Sequence, residues 1–252
     1  MGKSSDKRVT IVRTHPRHVR VSPKNPDGIT IVDRHPRRVQ GPALSIEDIQ
    51  RITKTRSRKG IIYSVRDALD FRDGDQYDEL IAIWVDYFNE VFGVTPPSKP
   101  LDPDLIKALI ASESSFEKSP ENPKAIGIAQ ITPGTLKALL DPEGEAKDFI
   151  FKGIRQKDLK DPEIAIPMGI RWIFRKRRLA AGKLGRTPTA DEIILEYKGL
   201  LRSTSRYQER ALASFRKYYG RLKKIKERYC FSCLPIFFVR LHDFVFQGHR
   251  LE

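Results

Sequence analysis

The stretch ESSFEKSPENPKAIGIAQITPGT, residues 113–135, follows directly on a helical pattern that begins with Pro103. Pro is favoured in the first turn of a helix, and Leu and Ile residues recur behind it at helical spacing. Glu113 lies four residues after Leu109 and three after Ile110, so its carboxyl group projects from the apolar face. A carboxyl group in apolar surroundings keeps its proton near neutral pH and can donate it to a leaving oxygen. The pattern alone leaves two interpretations open: a buried general acid, or a Glu that ends the helix facing solvent or capping a neighbour.

Helical periodicity continues on both sides of this stretch. Apolar residues at spacings of three and four predict a helix over residues 76–92. Similar patterns predict helices over residues 164–179, 191–200 and 207–229, and a short capped helix after Ser45. Outside the N-terminal arm no strand pattern is evident, so the sequence predicts a mainly α fold.

Charge is distributed unevenly along the 252 residues, which carry a net charge of +15. Residues 1–60 hold 15 Lys and Arg against 5 Asp and Glu, and residues 201–252 hold 12 against 4. The middle, residues 61–200, is slightly acidic, with 20 against 23. Two basic ends on an acidic body favour a polyanionic partner, such as nucleic acid, anionic lipid or the bacterial cell wall.

The N-terminal arm contains a repeat. Thr-Ile-Val followed by His-Pro-Arg occurs at residues 10–17 and again, twenty positions later, at residues 30–37. Between the copies, Asn-Pro-Asp-Gly at residues 25–28 is typical of a hairpin turn. The arm is interpreted as a solvated basic segment, with a docking or polyanion-binding element as the alternative. No Cys or acidic partner stands at metal-ligand spacing from its histidines, which are His15, His18 and His35.

Several classes of protein are excluded by composition. Two cysteines are too few for a disulfide-stapled scaffold, and no run of 18 apolar residues predicts a transmembrane span. The N-terminus is basic but lacks the apolar core of a secretory signal. Cys230 and Cys233 form a lone C-x-x-C that lacks the further ligands of a zinc site and the βαβ pattern of a redox motif, so no role is assigned to it.

Four short motifs follow one another within residues 101–225. Glu-Ser at residues 113–114 is followed by AIGIAQITPGT at residues 125–135. Residues 161–173 carry Asp-Pro, Ile, Gly, Trp and Ile at fixed spacing, and residues 196–199 read Glu-Tyr-Lys-Gly. In this order the motifs resemble those of the lytic transglycosylase family with the SLT domain, which is related to goose-type lysozyme. That family has Glu-Ser, A-x-G-L-M-Q-[IL]-x-P-x-T, D-P-x-x-N-I-x-x-G-x-x-[YW]-[LI] and A-Y-N-x-G.

The resemblance implies a lysozyme-like helical domain over residues 100–225. The rest of the chain is then divided into a basic, repeat-containing arm and linker at residues 1–59 and a helical lead-in at residues 60–99. Residues 226–252 form a C-terminal tail with no assigned role.

Three positions depart from the family's motifs. Ala129 stands where the family usually has Met, Ala165 where it has Asn, and Lys198 where it has the Asn after the Tyr. Lys198 matters most, because it adds a flexible cation beside the expected active-site residue Tyr197. These changes bear on substrate preference and rate more than on the type of reaction.

The resemblance implies cleavage of the β-1,4 bond between N-acetylmuramic acid and N-acetylglucosamine. Glu113 would protonate the glycosidic oxygen and then accept the proton of the C6 hydroxyl, which closes a 1,6-anhydro ring. One carboxylate is enough for this reaction, whereas most glycosidases use two. No second acid occupies a motif position, and Glu117 and Glu196 are predicted to be surface charges.

Four further residues are implied as substrate-binding: Ser114, Gly127, Gln130 and Tyr197. Tyr197 would form a hydrogen bond with Glu113 or the sugar, and Gln130 would bind an N-acetyl or hydroxyl group. Gly127 would let the backbone approach the sugar closely, and Ser114 would orient Glu113 or the substrate, or serve as a local cap. No metal or organic cofactor is implied.

The favoured function is an active cell-wall lyase of a bacterium or a phage. Without a visible signal peptide, a protein acting in the periplasm or cell wall is expected to be phage-borne or exported by a dedicated machine. Its partners are then glycan strands of peptidoglycan, together with components of a secretion, conjugation or phage-particle assembly.

Three alternatives remain at this point. One is a non-catalytic peptidoglycan-binding or assembly module on the same fold, and another is a lysozyme that hydrolyses the same bond. The third, a nucleic-acid binder that uses the basic ends, is disfavoured because nothing in the sequence resembles a recognition helix or an aromatic-rich basic sheet.

Overall fold

The computed structural model describes residues 10–12, 15–18, 29–32, 35–37, 43–57, 68–71, 73–92, 99–118 and 124–232. Within these residues the protein is mainly helical, as the sequence predicts. The helices are α1 (Ile46–Arg56), α2 (Asp78–Val91), α3 (Pro103–Ser114), α4 (Pro133–Leu140), α5 (Pro162–Leu184), α6 (Ala190–Tyr197) and α7 (Ser205–Ser232).

The helices surround one hydrophobic core. α3 packs along α7 and against α2, while α5 packs against α2 and α6. Trp84 and Phe88 of α2 are fully buried, and the Phe88 ring contacts Phe149 and Phe174. The lead-in helix α2 therefore belongs to the same core as the helices that follow it.

Several helix ends are set by the caps that the sequence indicates. Ser45 forms a capping box at α1, Asp102 accepts a hydrogen bond from the backbone of Asp104 at α3, and Thr189 caps α6. The ends of the long helices are less predictable. α5 continues to Leu184, because the left-handed residue that stops it is Gly185, at a φ of +66°.

Some elements are not apparent from the sequence. A two-residue parallel pair joins β5 (Ala43–Leu44) to β6 (Ile150–Phe151), so the prediction that strands are confined to the arm is wrong. Strands this short carry no alternating pattern from which they could be recognised. The short α4 was also missed, and so was the 3-10 turn Gln156–Lys160.

The arm forms two antiparallel strand pairs. β1 (Thr10–Val12) pairs with β4 (His35–Arg37), and β2 (His15–His18) pairs with β3 (Ile29–Val32). Thr-Ile-Val of each repeat thus pairs with His-Pro-Arg of the other copy in the same register. The β2–β3 pairing agrees with the expected hairpin, whose turn at residues 25–28 lies outside the described residues.

Candidate active site

Glu113 is the penultimate residue of α3, and its side chain is 19% exposed. It lines a pocket whose other walls are apolar apart from one phenol: Ile106, Leu109, Ile110, Ala129, Ile166, Gly169, Ile170, Ile173 and Tyr197. Among these lining residues, all of them in the described part of the chain, Glu113 is the only carboxylate. The structure therefore places it on the apolar face of α3, facing α5 and α6.

The backbone beside Glu113 is strained. Ser115 and Phe116 have φ values of +52° and +64°, and Gln130, in the facing loop, has +48°. Left-handed conformations of residues other than Gly cost about 1–3 kcal/mol each and tend to cluster at functional sites. The buried ring of Phe116 stabilises this turn through contacts with Phe71 and Tyr77. Phe116 is thus a core residue.

Ser114 ties the end of α3 to the facing loop. Its buried hydroxyl donates to Ile128 O at 2.8 Å and lies 3.2 Å from Ile110 O. Of the roles considered for Ser114, these contacts match the local structural one. The hydroxyl holds Glu113 in place through the backbone.

The loop over residues 126–131 is closed on itself. Ile126 and Ile131 exchange two backbone hydrogen bonds of 3.0 Å, and Gln130 Nε2 donates to Gly127 O at 2.9 Å. Gly127 has a φ of +71°, and a Cβ there would lie 1.9 Å from Leu159 O. The close approach that requires Gly is therefore to the protein's own backbone, and the Gln130 side chain supports the loop.

Tyr197, the last residue of α6, lines the same pocket. Its hydroxyl donates to Ala129 O at 3.1 Å, whereas the predicted partner is Glu113 or the sugar. Burial, and to a lesser extent the negative charge of Glu113, raises the pKa of this hydroxyl. Tyr197 thus stays protonated and fixes the loop at Ala129 beside Glu113.

Lys198 contacts Glu113 directly. Its Nζ donates to Glu113 Oε1 in an ion pair whose side chains are 22% and 19% exposed. Proximity of Lys198 to Tyr197 follows from the sequence, but contact with Glu113 does not, because 85 residues separate the two. The resting site therefore holds a carboxylate and an ammonium group in contact.

This arrangement lies largely within a recognised domain. Residues 96–182 match the family model of the transglycosylase SLT domain. This part of the chain is thus similar to the transglycosylase SLT domain. Searches among curated proteins and among solved structures find no match. The match confirms the resemblance seen in the motifs and supports lytic transglycosylase-type activity on peptidoglycan.

The SLT match ends within α5, so Tyr197 and Lys198 on α6 lie beyond it. The departures at Ala129 and Ala165 lie inside it. Ala165 is fully buried, and a Cβ at Gly169 would lie 2.8 Å from the Cβ of Ala129. Small residues therefore let α5 approach the loop closely at this point of the SLT domain.

Glu196 differs from its prediction as a surface charge. It is buried, and both its carboxylate oxygens accept hydrogen bonds from Lys183 Nζ, at 2.7 and 2.8 Å. Lys183 comes from the end of α5, which the sequence pattern does not bring near α6. Glu117 is exposed, as predicted.

The described residues contain neither a group of metal ligands nor a membrane-spanning helix. Among the described residues, no three His, Cys, Asp or Glu side chains are grouped so that they could hold a metal ion. Within the same residues, no helix combines the length and the apolarity needed to cross a membrane. The histidine side chains of the arm and the C-x-x-C segment lie outside the described side chains.

Proposed function

We propose that this protein is a peptidoglycan lytic transglycosylase in which Glu113 is both the acid and the base. The observation that supports this most directly is Glu113 at the end of α3, the one carboxylate among the lining residues of an apolar pocket in an SLT domain. The proposed reaction cleaves the β-1,4 bond between N-acetylmuramic acid and N-acetylglucosamine.

A single carboxylate suffices because the substrate supplies the nucleophile. Glu113 gives its proton to the glycosidic oxygen as the bond from that oxygen to C1 of muramic acid breaks. The resulting carboxylate then takes the proton of the C6 hydroxyl while O6 bonds to C1, which forms the 1,6-anhydro ring and restores the acid. An intramolecular nucleophile is already positioned, so no attacking water and no second carboxylate to activate it are needed.

The other site residues are proposed to shape the surface that meets the sugar. Ser114, Gly127 and Gln130 fix the loop over residues 126–131, and Tyr197 holds its Ala129 carbonyl. Through this loop the four residues would set the position of the glycan relative to Glu113.

The charge distribution supports action at the cell wall. Basic segments at both ends of the chain would hold the enzyme on an anionic glycan network, and partners would be components of the machine that delivers it. The enzyme is accordingly proposed to act in the periplasm or cell wall, delivered by a phage particle or a dedicated export system.

The test is mass spectrometry of purified peptidoglycan digested with the wild type, Glu113→Gln and Glu117→Gln. The wild type and Glu117→Gln should release anhydro-muropeptides, and Glu113→Gln should release about a thousandfold less, because general acid catalysis contributes about 10²–10⁴. Glu117 is the matched control, since it is an exposed carboxylate four residues after Glu113, beyond the end of α3. Reducing ends from the wild type would indicate a lysozyme instead.

The contact between Lys198 and Glu113 favours one other function, a peptidoglycan-binding module without catalysis. A carboxylate neutralised by a permanent cation could serve to bind glycan rather than to transfer protons. Binding of glycan strands without release of any product, across several wall types, would establish this alternative and overturn the enzymatic one.

A further inference from the structure

Lys198 stands where the SLT motif has a neutral Asn, and it ends α6. Its backbone N–H donates to Ile194 O at 2.9 Å, and Gly199 turns the chain at a φ of +72°. The backbone is therefore held by the helix, whereas the four-carbon side chain is flexible. The ammonium group can change partners without any movement of α6.

The ion pair must open before Glu113 can act as an acid. Lys198 Nζ occupies Oε1 of the carboxyl group that has to carry a proton to the glycosidic oxygen. Both side chains are largely buried, so water replaces a lost partner only in part. An ammonium group released in these surroundings needs another anion.

Among the described residues, neither Glu196 nor the lining of the pocket offers that anion. Glu196, two residues before Lys198, uses both carboxylate oxygens to bind Lys183. Among the residues that line the pocket, taken from the described part of the chain, Glu113 is the only charged one. The replacement anion is therefore expected to arrive with the ligand.

We propose that Lys198 binds a carboxylate group of the glycan, and that this exchange of partners lets Glu113 take up a proton from solvent, which it then gives to the glycosidic oxygen. The inference rests on the proposed function and adds a specificity-determining residue to it. Peptidoglycan provides carboxylates in two places: on the lactyl group of a muramic acid without peptide, and on the peptide where one is attached through that group. Acidic glycan then opens the ion pair, whereas neutral glycan leaves Glu113 bound to Lys198.

The experiment compares three substrates that differ in charge. The first is glycan strands stripped of peptide, which keep the lactyl carboxylate, and the second is the same strands with this carboxylate converted to a methylamide. The third is peptide-bearing strands. At least one carboxylate-bearing form should be cleaved with about tenfold higher kcat/KM than the methylamide form, as expected for one contact of about 1.4 kcal/mol. Which form is preferred identifies the carboxylate, and equal cleavage of all three overturns the proposal.

Variants at Lys198 separate this role from a merely structural one. Lys198→Met and Lys198→Asn should abolish the preference, and Lys198→Arg should retain it. Lys183→Met is the matched control, because it removes an ammonium group from the neighbouring Lys183–Glu196 pair and should keep the preference. Thermal unfolding checks that each variant is folded. A preference that persists in both Lys198→Met and Lys198→Asn contradicts the proposal.

A binding assay makes the result independent of catalysis. In Glu113→Gln both the ion pair and the acid are removed, so strand binding can be followed by titration calorimetry without cleavage. Carboxylate-bearing strands should bind about tenfold more tightly than methylamide strands, and the added substitution Lys198→Met should remove this difference. If the wild type releases no product while the binding preference holds, the proposed function fails and carboxylate binding by Lys198 stands. Product release without any charge preference overturns the role of Lys198 alone.

Discussion

Lys107 and Glu113 lie six residues apart on α3, and the ion pairs that they form differ in how completely the charges are satisfied. Lys107 is 2% exposed, and its Nζ bonds Asp75 at 2.7 Å and Asp78 at 2.9 Å. Glu113 instead pairs with Lys198 and lines a pocket. The buried Lys107 cation, which pairs with two carboxylates, holds parts of the fold together. The Glu113 carboxylate pairs with one cation at a pocket and can exchange that partner for another.

The largest expected effect on stability is at Lys107, the buried cation of α3. Lys107→Met should lower the free energy of unfolding by about 3–5 kcal/mol, because it leaves buried carboxylates without their cation. Lys198→Met should lower it by a smaller amount, because its single ion pair is about one-fifth exposed to solvent. Urea unfolding measures the loss of unfolding free energy in each variant. Equal losses would contradict the distinction between the ion pairs of Lys107 and the Lys198–Glu113 pair.

A comparable loss is expected from the loop that faces Glu113. Gly127→Ala should cost about 3 kcal/mol, because a left-handed residue and a contact with the Leu159 backbone are both affected. Gly153→Ala is the control for conformation alone: Gly153 has a φ of +72° and nothing within 4 Å of a Cβ, so its cost should be about 1 kcal/mol. Thermal unfolding distinguishes the two variants. An equally small loss of stability in both would show that the loop shifts to make room for the added Cβ.

The contribution of Asp78, a partner of Lys107, to the free energy of unfolding should also depend on pH. Burial raises the pKa of Asp78 from 3.8 to about 6 in the folded protein, against the opposing effect of Lys107. Because the folded state binds this proton more tightly, the stabilisation is present below pH 4 and is lost as pH rises through 6. The difference in unfolding free energy between wild type and Asp78→Asn should fall by about 1–2 kcal/mol over that window. A difference that stays flat or rises between pH 4 and 6 would contradict this.

The smallest effect is expected at Ser114. Ser114→Ala leaves the buried carbonyl of Ile128 without its donor and should cost about 1–2 kcal/mol. Ser112→Ala, which removes a hydroxyl that donates to Leu109 O within the same helix, should cost less. If Ser114 serves Glu113 through the loop, its Ala variant should also lower kcat more than Ser112→Ala does.

Local patterns predict the helices and the place of Glu113, because caps and apolar spacing act over a few residues. Ser45, Asp102 and Thr189 begin their helices as their side chains indicate. The contacts that define the candidate site form between distant parts of the chain, and no local pattern encodes them. The sequence predicts Glu196 to be a surface charge, because Glu is seldom buried. The structure buries it, and the cation that pairs with it comes from another helix.

Lys198 illustrates the same limit at the candidate site. Its position in the motif identifies it as a departure, but its partner depends on how α6 packs beside the end of α3. The contact of the Tyr197 hydroxyl with Ala129 O depends on packing in the same way, and no local pattern indicates it.

The most direct test of Glu113 as the single acid and base is the origin of the oxygen atom at the new sugar end. Peptidoglycan is digested with the wild type in water labelled with oxygen-18, and the masses of the released muropeptides are measured by mass spectrometry. With Glu113 as the single acid and base, the C6 oxygen closes on C1, so the products should be unlabelled 1,6-anhydro sugars. Labelled reducing ends would show that water attacks, and would contradict the proposal that one carboxylate and an intramolecular nucleophile suffice.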